Sequence, residues 1–447
     1  MIPPTSPHFE RTRVFDVDLA DPLPDHWDVA GYRRALILVR WRGRTLTTVN
    51  VAAPDEVVHA AAVRAMIAAD GWARATLATR AVRSWLLDGD GDAPAATDAP
   101  PSWSVVVCTR DRADDLRRCL RALTTMDVPP GAPAGEIVVV DNASADDATA
   151  RVVAEYAAAP PDARGAARPV VRYLREDRPG LNWARATGAR AARGEIVVYT
   201  DDDVVVDPPW IGRMLEPFAD SRVAAVTGLT MPLEIETSAQ WLFERYGGFG
   251  RGYTRRVFDP RHFPPSAAGA AGAGANVAFR RSLVVGMRLF DVELDAGTVT
   301  LTGGDTYALF LLLAAGHHVV YTPDAVVWHR HRREYAPLKR TLYGYSVGGF
   351  AFLTRCLVEH RDLGAARTAL QWVRHDHVRL LARVLLRRPS ALPRDLVFAY
   401  VRGIAVGPWA YLRSRGRERR YRLADAAAAP NTTDHAAAGG AVARSVA

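Results

Sequence analysis

Lysine is almost absent from this 447-residue chain: Lys339 is the only one among 57 basic side chains. That scarcity removes several chemistries. No Gly-rich loop ends in Gly-Lys-Ser/Thr, so the chain is not a P-loop NTPase. The strand lysine of protein kinases is missing too. A Schiff-base mechanism would have to rest on Lys339, beside Arg340 in a basic stretch. Cysteine is scarce as well. Cys108, Cys119 and Cys356 are widely spaced, giving neither a disulfide framework nor a zinc pattern, which fits a reducing compartment. No Gly-x-Gly-x-x-Gly follows the first strand of the alternating region, so a dinucleotide-binding Rossmann domain is unsupported. The segment from Met1 to Glu10 lacks the apolar stretch of a signal peptide, which predicts a cytoplasmic chain.

What is present is globular. Hydrophobic residues make up 49% of a chain long enough for two or three domains. The net charge of +8 is unevenly placed. From His329 to Arg422 there are 21 Lys and Arg against 6 Asp and Glu, a local +15 that leaves the remainder at −7. Such asymmetry suggests an anionic partner for the C-terminal part. An anionic membrane surface is preferred, which would make the protein peripheral on the cytoplasmic face. Nucleic acid is unlikely, since no nucleic-acid-binding motif surrounds the arginines. A solvated set of Arg-rich helices stays open.

Residues 1–87 read as a small α+β accessory module. Strands are expected over 35–41 and 45–51, with a hairpin turn at Arg42-Gly43-Arg44 and a helix capped by Asp55 running to about Ala69. A polar Pro/Gly linker covers 88–102. From Trp103 the chain alternates: strands over 104–108, 136–140, 170–174 and 195–200, separated by helices over 114–123, 146–158 and 181–192. Near-continuous apolar strands in this rhythm predict a mostly parallel sheet with helices on both faces. Further on, 223–228 reads as a strand, 241–274 as mobile loops and 276–279 as an edge strand. An apolar helix over 306–315 and a strand over 318–323 follow. The main domain is placed at 103–335, a basic helical region at 336–423 and a disordered tail at 424–447. The apolar stretch Leu396–Leu412 is short for a bilayer crossing and reads as an interfacial or a packed helix.

The most informative feature is the triplet Asp201-Asp202-Asp203, at the end of the apolar run Glu195–Thr200. A buried strand delivers its last residues to the C-terminal edge of the sheet, where open α/β sheets bind ligands. Carboxylates crowded there repel one another unless a cation compensates. Side chains two apart on an extended segment face the same way, so Asp201 and Asp203 can serve one site. Mg²⁺ and Mn²⁺ favour such oxygen ligands. Two readings fit the triplet alone: a metal–phosphate site, and an acidic turn ahead of Asp207-Pro208-Pro209.

Six motifs occur in order. They are Val-Val-Val-Cys-Thr-Arg-Asp-Arg (105–112), Val-Val-Val-Asp-Asn-Ala-Ser (138–144), Arg-Pro-Gly-Leu-Asn-Trp-Ala-Arg (178–185) and, after the triplet, Gly-Ala-Asn-Val-Ala-Phe-Arg-Arg (274–281), Gly-Gly-Asp-Thr (303–306) and Val-Trp-His-Arg-His (327–331). Together with the triplet they resemble a family 2 glycosyltransferase with a GT-A fold, over roughly residues 103–335. The resemblance implies a metal-dependent, inverting transfer of a sugar from a nucleotide-diphospho-sugar to a hydroxyl acceptor, whether glycan, lipid-linked or small molecule.

It places Thr109 and Arg110 near the nucleoside, Asp141 at the base edge, and Arg178 and Arg185 near phosphates or base. For Asp141 a turn role, and for the two arginines a structural ion pair, stay open. The family's Asp-x-Asp pattern maps onto Asp201 and Asp203, with Asp203 as metal ligand, Asp201 on the ribose or the metal's water shell, and Asp202 orienting the turn. His329 is implied as a second metal or diphosphate ligand, with His331 able to face the same side. Asp305 is the implied general base, and Asn276 and Gly304 line the acceptor side. The chain departs from the family's pattern at Gly304, where an acidic residue is usual. A catalytically silent nucleotide-sugar-binding protein and a sugar-phosphate nucleotidyltransferase are the competing readings.

Overall fold

The computed structural model describes residues 9–86, 100–133, 135–158, 168–386, 392–417 and 420. The linker expected over 88–102 lies mostly outside these residues, and the tail expected over 424–447 wholly so.

The N-terminal part has β1 (Thr12–Asp18), β2 (His26–Asp28), β3 (Arg34–Trp41), β4 (Arg44–Ala52), β5 (Val57–His59), α1 (Ala60–Ala69) and α2 (Gly71–Leu86). One sheet has the order β1-β3-β4, and β2 pairs with β5. Arg42 and Gly43 both take positive φ, 50° and 72°. Two such residues close a tight hairpin whose twist matches its strands. The helix expected from Asp55 starts later. Val57 and Val58 join a strand pair with Asp28 and Trp27, and α1 opens at Ala60 without a side-chain cap. Two β-branched residues in sequence prefer the pleated pairing to a helical first turn.

The central sheet has nine strands. β6 (Trp103–Thr109), β7 (Glu136–Asn142), β8 (Val170–Glu176) and β9 (Ile196–Asp201) alternate with α3 (Ala113–Thr125), α4 (Ala148–Ala157) and α5 (Leu181–Ala191). Next come β10 (Val204–Val206), α6 (Trp210–Leu215), β11 (Val223–Pro232), α7 (Ser238–Tyr246), β12 (Arg256–Phe258), β13 (Asn276–Arg280), α8 (Arg281–Gly286), α9 (Gly304–Ala314) and β14 (His318–His329). The order is β10-β14-β11-β13-β9-β6-β7-β8, with β12 against β14. Pairing is parallel among β9, β6, β7 and β8 and between β11 and β14. Two buried clusters, one on Phe279, Phe310 and Phe352 and the other on Trp103, Leu116 and Trp210, form the main cores.

Two expectations are corrected here. The strand at 276–279 is not an edge. It lies between β11 and β9, antiparallel to both. Its reversal lets the sheet continue past β9 without another parallel crossover. The stretch 241–274 is not simply loops. Its first residues belong to α7, whose capping box joins Thr237 and Gln240, and β12 adds a strand. The capping signal Thr-x-x-Gln sits just before the stretch.

α10 (Tyr335–His360), α11 (Leu363–Trp372), α12 (Val378–Leu385) and α13 (Arg394–Ser414) complete the described chain. α13 packs along α10. A Cβ at Gly403 would lie 2.2 Å from Ser346 Oγ, and one at Gly407 2.5 Å from Phe350 Cβ, so glycine permits the close crossing. The apolar stretch 396–412 is thus a packed helix on this face, while Phe398, Trp409 and Leu412 stay exposed on the other. No helix among the described residues is long and apolar enough to cross a membrane.

The N-terminal sheet is fastened to the central one. Leu38 packs with Leu229, Met231 and Val326. Arg40 pairs with Asp207 at 3.0 Å, and Thr45 N–H donates to Asp324 at 2.7 Å. Leu38 is fully buried in this contact. Truncation to alanine therefore leaves a cavity, and Leu38→Ala is expected to lower stability by about 2–5 kcal/mol in urea unfolding.

Candidate active site

Strand direction gathers the site. β6, β7 and β9 run parallel and end at Thr109, Asn142 and Asp201, and β14 ends at the same edge with His329. β10 follows the triplet and pairs antiparallel with the end of β14, setting Val204 opposite His329. Arg330 N–H donates to the Asp203 carbonyl at 2.9 Å. This register brings residues 126 positions apart into one cluster: Asp201, Asp203 and His329 offer ligand atoms within 4.8 Å of one another.

The electrostatics of the triplet are those of crowded buried carboxylates. Burial pushes Asp201 up to about 6 and Asp202 up to about 7, with the charge of Asp203 adding to both. Asp203 is buried too, yet His329, Arg112 and Arg332 hold its carboxyl below the usual range. Arg112 spans the pair, Nη1 2.6 Å from Asp202 Oδ1 and Nη2 2.8 Å from Asp203 Oδ2. Thr109 Oγ1 donates to Asp202 Oδ2 at 2.7 Å. Asp202 thus ties the loop after β6 to the triplet while still lining the cleft at this edge.

One oxygen is left over. Asp203 Oδ1 is buried and has no hydrogen-bond partner among the described residues, though His329 Nε2 lies 3.3 Å away. A hydrogen-bond chain explains the mismatch. His331 Nε2 lies 2.6 Å from Glu244 Oε1, and His331 Nδ1 lies 3.0 Å from His329 Nδ1. With Glu244 accepting from His331 Nε2–H, His331 Nδ1 accepts from His329 Nδ1–H. His329 Nε2 then carries a lone pair. Burial pushes the His329 imidazole down to about 4, so it is neutral at pH 7. A lone pair facing an anionic oxygen is repulsive unless a cation lies between them. A carboxylate–imidazole set with a carboxylate-backed second histidine suits a divalent metal.

A cleft of about 790 Å³ opens at this edge, a size suited to a nucleotide sugar. The triplet, His329 and His331 line it, as do Thr109, Arg110, Arg332, Arg340, Tyr345 and Asp295. Phe249 stacks edge-on to His329 at 5.1 Å, adding an apolar wall.

The structure separates the other expected residues. Asp141 is fully buried, with its carboxylate engaged by Ser144 N–H, Tyr173 OH and Arg175, and it does not line the cleft. Arg178 forms two 2.8 Å contacts to Glu176 and lies over the Trp183 ring, the structural ion pair left open above. Arg185 is buried and donates to Asp295 at 2.8 Å. Asp305, at the start of α9, accepts from Gly274 N–H at 2.7 Å and Thr306 N–H at 2.8 Å, and lies near enough to Asp201 to raise its carboxyl.

Asn276 does not line an acceptor site. It is fully buried, accepting from Trp210 Nε1–H and donating to the Leu229 and Ala325 carbonyls. An amide with three satisfied bonds inside the sheet is a structural clasp. Gly304 is buried at the first turn of α9, where neighbouring side chains fill the place of a Cβ. Sequence reasoning missed Arg112, Glu244 and Asp295. Arg112 ends the first quoted motif. Glu244 lay in the stretch read as loops, and Asp295 ends the unread acidic run Asp291, Glu293, Asp295.

Residues 104–284 match the family model of Glycosyl transferase family 2. The chain is 29% identical over 194 residues to the succinoglycan biosynthesis protein ExoO of Rhizobium meliloti, covering 38% of this chain and 50% of that protein. It is 22% identical over 239 residues to the glycosyltransferase AglE of Haloferax volcanii, covering 53% of this chain and 69% of that one. The chain spans about half the length of most of the curated relatives it matches. Among solved structures, a mannosyltransferase from Pyrobaculum calidifontis in complex with GDP-Man and Mn²⁺ aligns with a TM-score of 0.42 and 22% identity, over 79% of this chain and 83% of that one. The stretch matched by the family model holds strands β6 to β9 and the aspartate triplet, and over it the chain is similar to the family 2 glycosyltransferases.

Proposed function

We propose that the protein is a metal-dependent, inverting glycosyltransferase that moves a sugar from a nucleotide-diphospho-sugar to a hydroxyl acceptor. The observation that carries this reading is the unpartnered Asp203 Oδ1 facing a neutral His329 Nε2 at the rim of the cleft. Asp203 and His329 would hold the divalent cation, with Asp201 assisting, in the Asp-x-Asp pattern. The imidazole favours Mn²⁺ over Mg²⁺. When bound, the cation neutralises charge that builds on the leaving diphosphate.

The protein's own groups do the rest. Arg110, Arg332 and Arg340 face the cleft and offer cationic donors to the diphosphate. Thr109 shapes the nucleoside side through its bond to Asp202. Asp141 would take the base edge only with both Tyr173 and Arg175, which hold its Oδ2, displaced. Asp305 accepts the proton of the acceptor hydroxyl as that oxygen attacks the anomeric carbon opposite the diphosphate. Two backbone N–H groups aim its carboxylate. One displacement inverts the anomeric configuration.

The C-terminal helices rest on an anionic membrane surface in this reading. Leu363, Leu370, Leu385, Leu386, Phe398, Trp409 and Leu412 are all exposed, among the arginines of the local +15 region. Apolar insertion and lipid charge then add. The cytoplasmic face follows from the cysteine usage, and a lipid-linked acceptor would be met there.

Two outcomes are expected. With Mn²⁺ and a panel of nucleotide sugars, Asp203→Ala abolishes turnover, as EDTA does to the parent. Asp305→Asn lowers kcat by about 10²- to 10⁴-fold. Full activity of both variants contradicts the assignment. In vesicle flotation at low salt, the protein rises with vesicles containing phosphatidylglycerol and is released by high salt; no association at low salt removes the membrane reading.

A further inference from the structure

Asp295 is a buried carboxylate that the proposed reaction leaves without a role. Its backbone is left-handed, with φ +81°. Aspartate tolerates that conformation when its carboxylate bonds the backbone locally, as here. The side chain is buried yet forms part of the cleft wall. Oδ2 lies 2.8 Å from Arg185 Nη1, and Oδ1 accepts from Ala296 N–H at 2.8 Å. Its own N–H donates to Thr300 Oγ1 at 3.0 Å.

The space that this carboxylate fills belongs to α9. A Cβ at Gly304 would lie 2.5 Å from Asp295 Oδ2 and 2.2 Å from Asn182 Nδ2. The first residue of α9 must therefore be bare, because a carboxylate arriving from the preceding loop occupies its side-chain volume. The next residue is Asp305. Both carboxylates act on the Arg185 guanidinium. A buried ion pair adds little net stability, since both charges lose their water. Burial, a buried ion pair and a place in the cleft wall together suit a group kept for substrate.

We propose that Asp295 is a substrate-positioning carboxylate, accepting a hydrogen bond from a carbohydrate hydroxyl at the wall of the cleft. The inference rests on the glycosyltransferase reading. Each carboxylate oxygen has two lone pairs and gives up one within the protein, so capacity remains on both. Burial pushes the Asp295 carboxyl up, Arg185 opposes that rise, and the Arg185 hydrogen bond fixes its direction.

The test compares the parent with Asp295→Asn and Gly304→Ala. Asparagine keeps the volume, still accepts from Arg185 and tolerates left-handed backbone. The added methyl of Gly304→Ala instead displaces the carboxylate without removing its charge. Transfer to octyl glycosides is measured with UDP-glucose and GDP-mannose as donor probes and Mn²⁺ present. Both variants are expected to lose about ten- to hundredfold in kcat/KM for the acceptor, as for one hydrogen bond to a charged group. The UDP–Mn²⁺ affinity and melting temperature of Asp295→Asn stay at parental values. Unchanged turnover in Asp295→Asn overturns the inference and leaves the glycosyltransferase reading standing. Loss of affinity and melting temperature together with rate also overturns it, leaving Asp295 a structural partner of Arg185. A parent inactive with both probes overturns the reading and the inference together.

Discussion

Three carboxylates in a row at the edge of a buried sheet repel one another, and the site is organised around balancing that repulsion. Arg112 offsets part of it by bridging Asp202 and Asp203. Thr109 takes up another oxygen. What the protein leaves uncompensated is a single oxygen, Asp203 Oδ1, aimed at a nitrogen that can only offer a lone pair. The tautomer of that nitrogen is fixed from behind by His331 and Glu244, so the deficit is built in rather than incidental.

The fold explains how such a cluster forms from distant residues. Parallel strands deliver their ends to one edge, and the short β10 turns the chain leaving the triplet back against β14. Around this core the N-terminal sheet braces β11 and β14 from outside, away from the cleft. α10 closes the cleft on the other side with Arg340 and Tyr345. The basic helices that follow present exposed apolar side chains beside arginines. An enzyme acting on an anionic donor near an anionic surface would need both features.

Much of this was legible because the relevant signals are local. Short apolar runs alternating with helical spacing mark parallel strands, so β6, β7, β8 and β9, and the triplet at the end of β9, could be read from sequence alone. His329 was legible through its motif. The role of Asn276 was not, because strand order is a tertiary property. The same five residues would serve on an edge or in the interior, and only the sheet order turns an exposed amide into a buried clasp. The helix expected from Asp55 failed because pairing with β2 outweighs local helical spacing. Arg112, Glu244 and Asp295 escaped notice for one reason. Each acts through a partner at least 87 positions away, which no periodicity encodes.

The central claim is that Asp203 and His329 face each other across a cation. Crystals of the protein grown with UDP and Mn²⁺, with anomalous diffraction collected at the manganese edge, test it most directly. The account predicts one strong peak between Asp203 Oδ1 and His329 Nε2, with Asp201 beside it. An absent peak at that position, or a manganese bound elsewhere in the cleft, would contradict it.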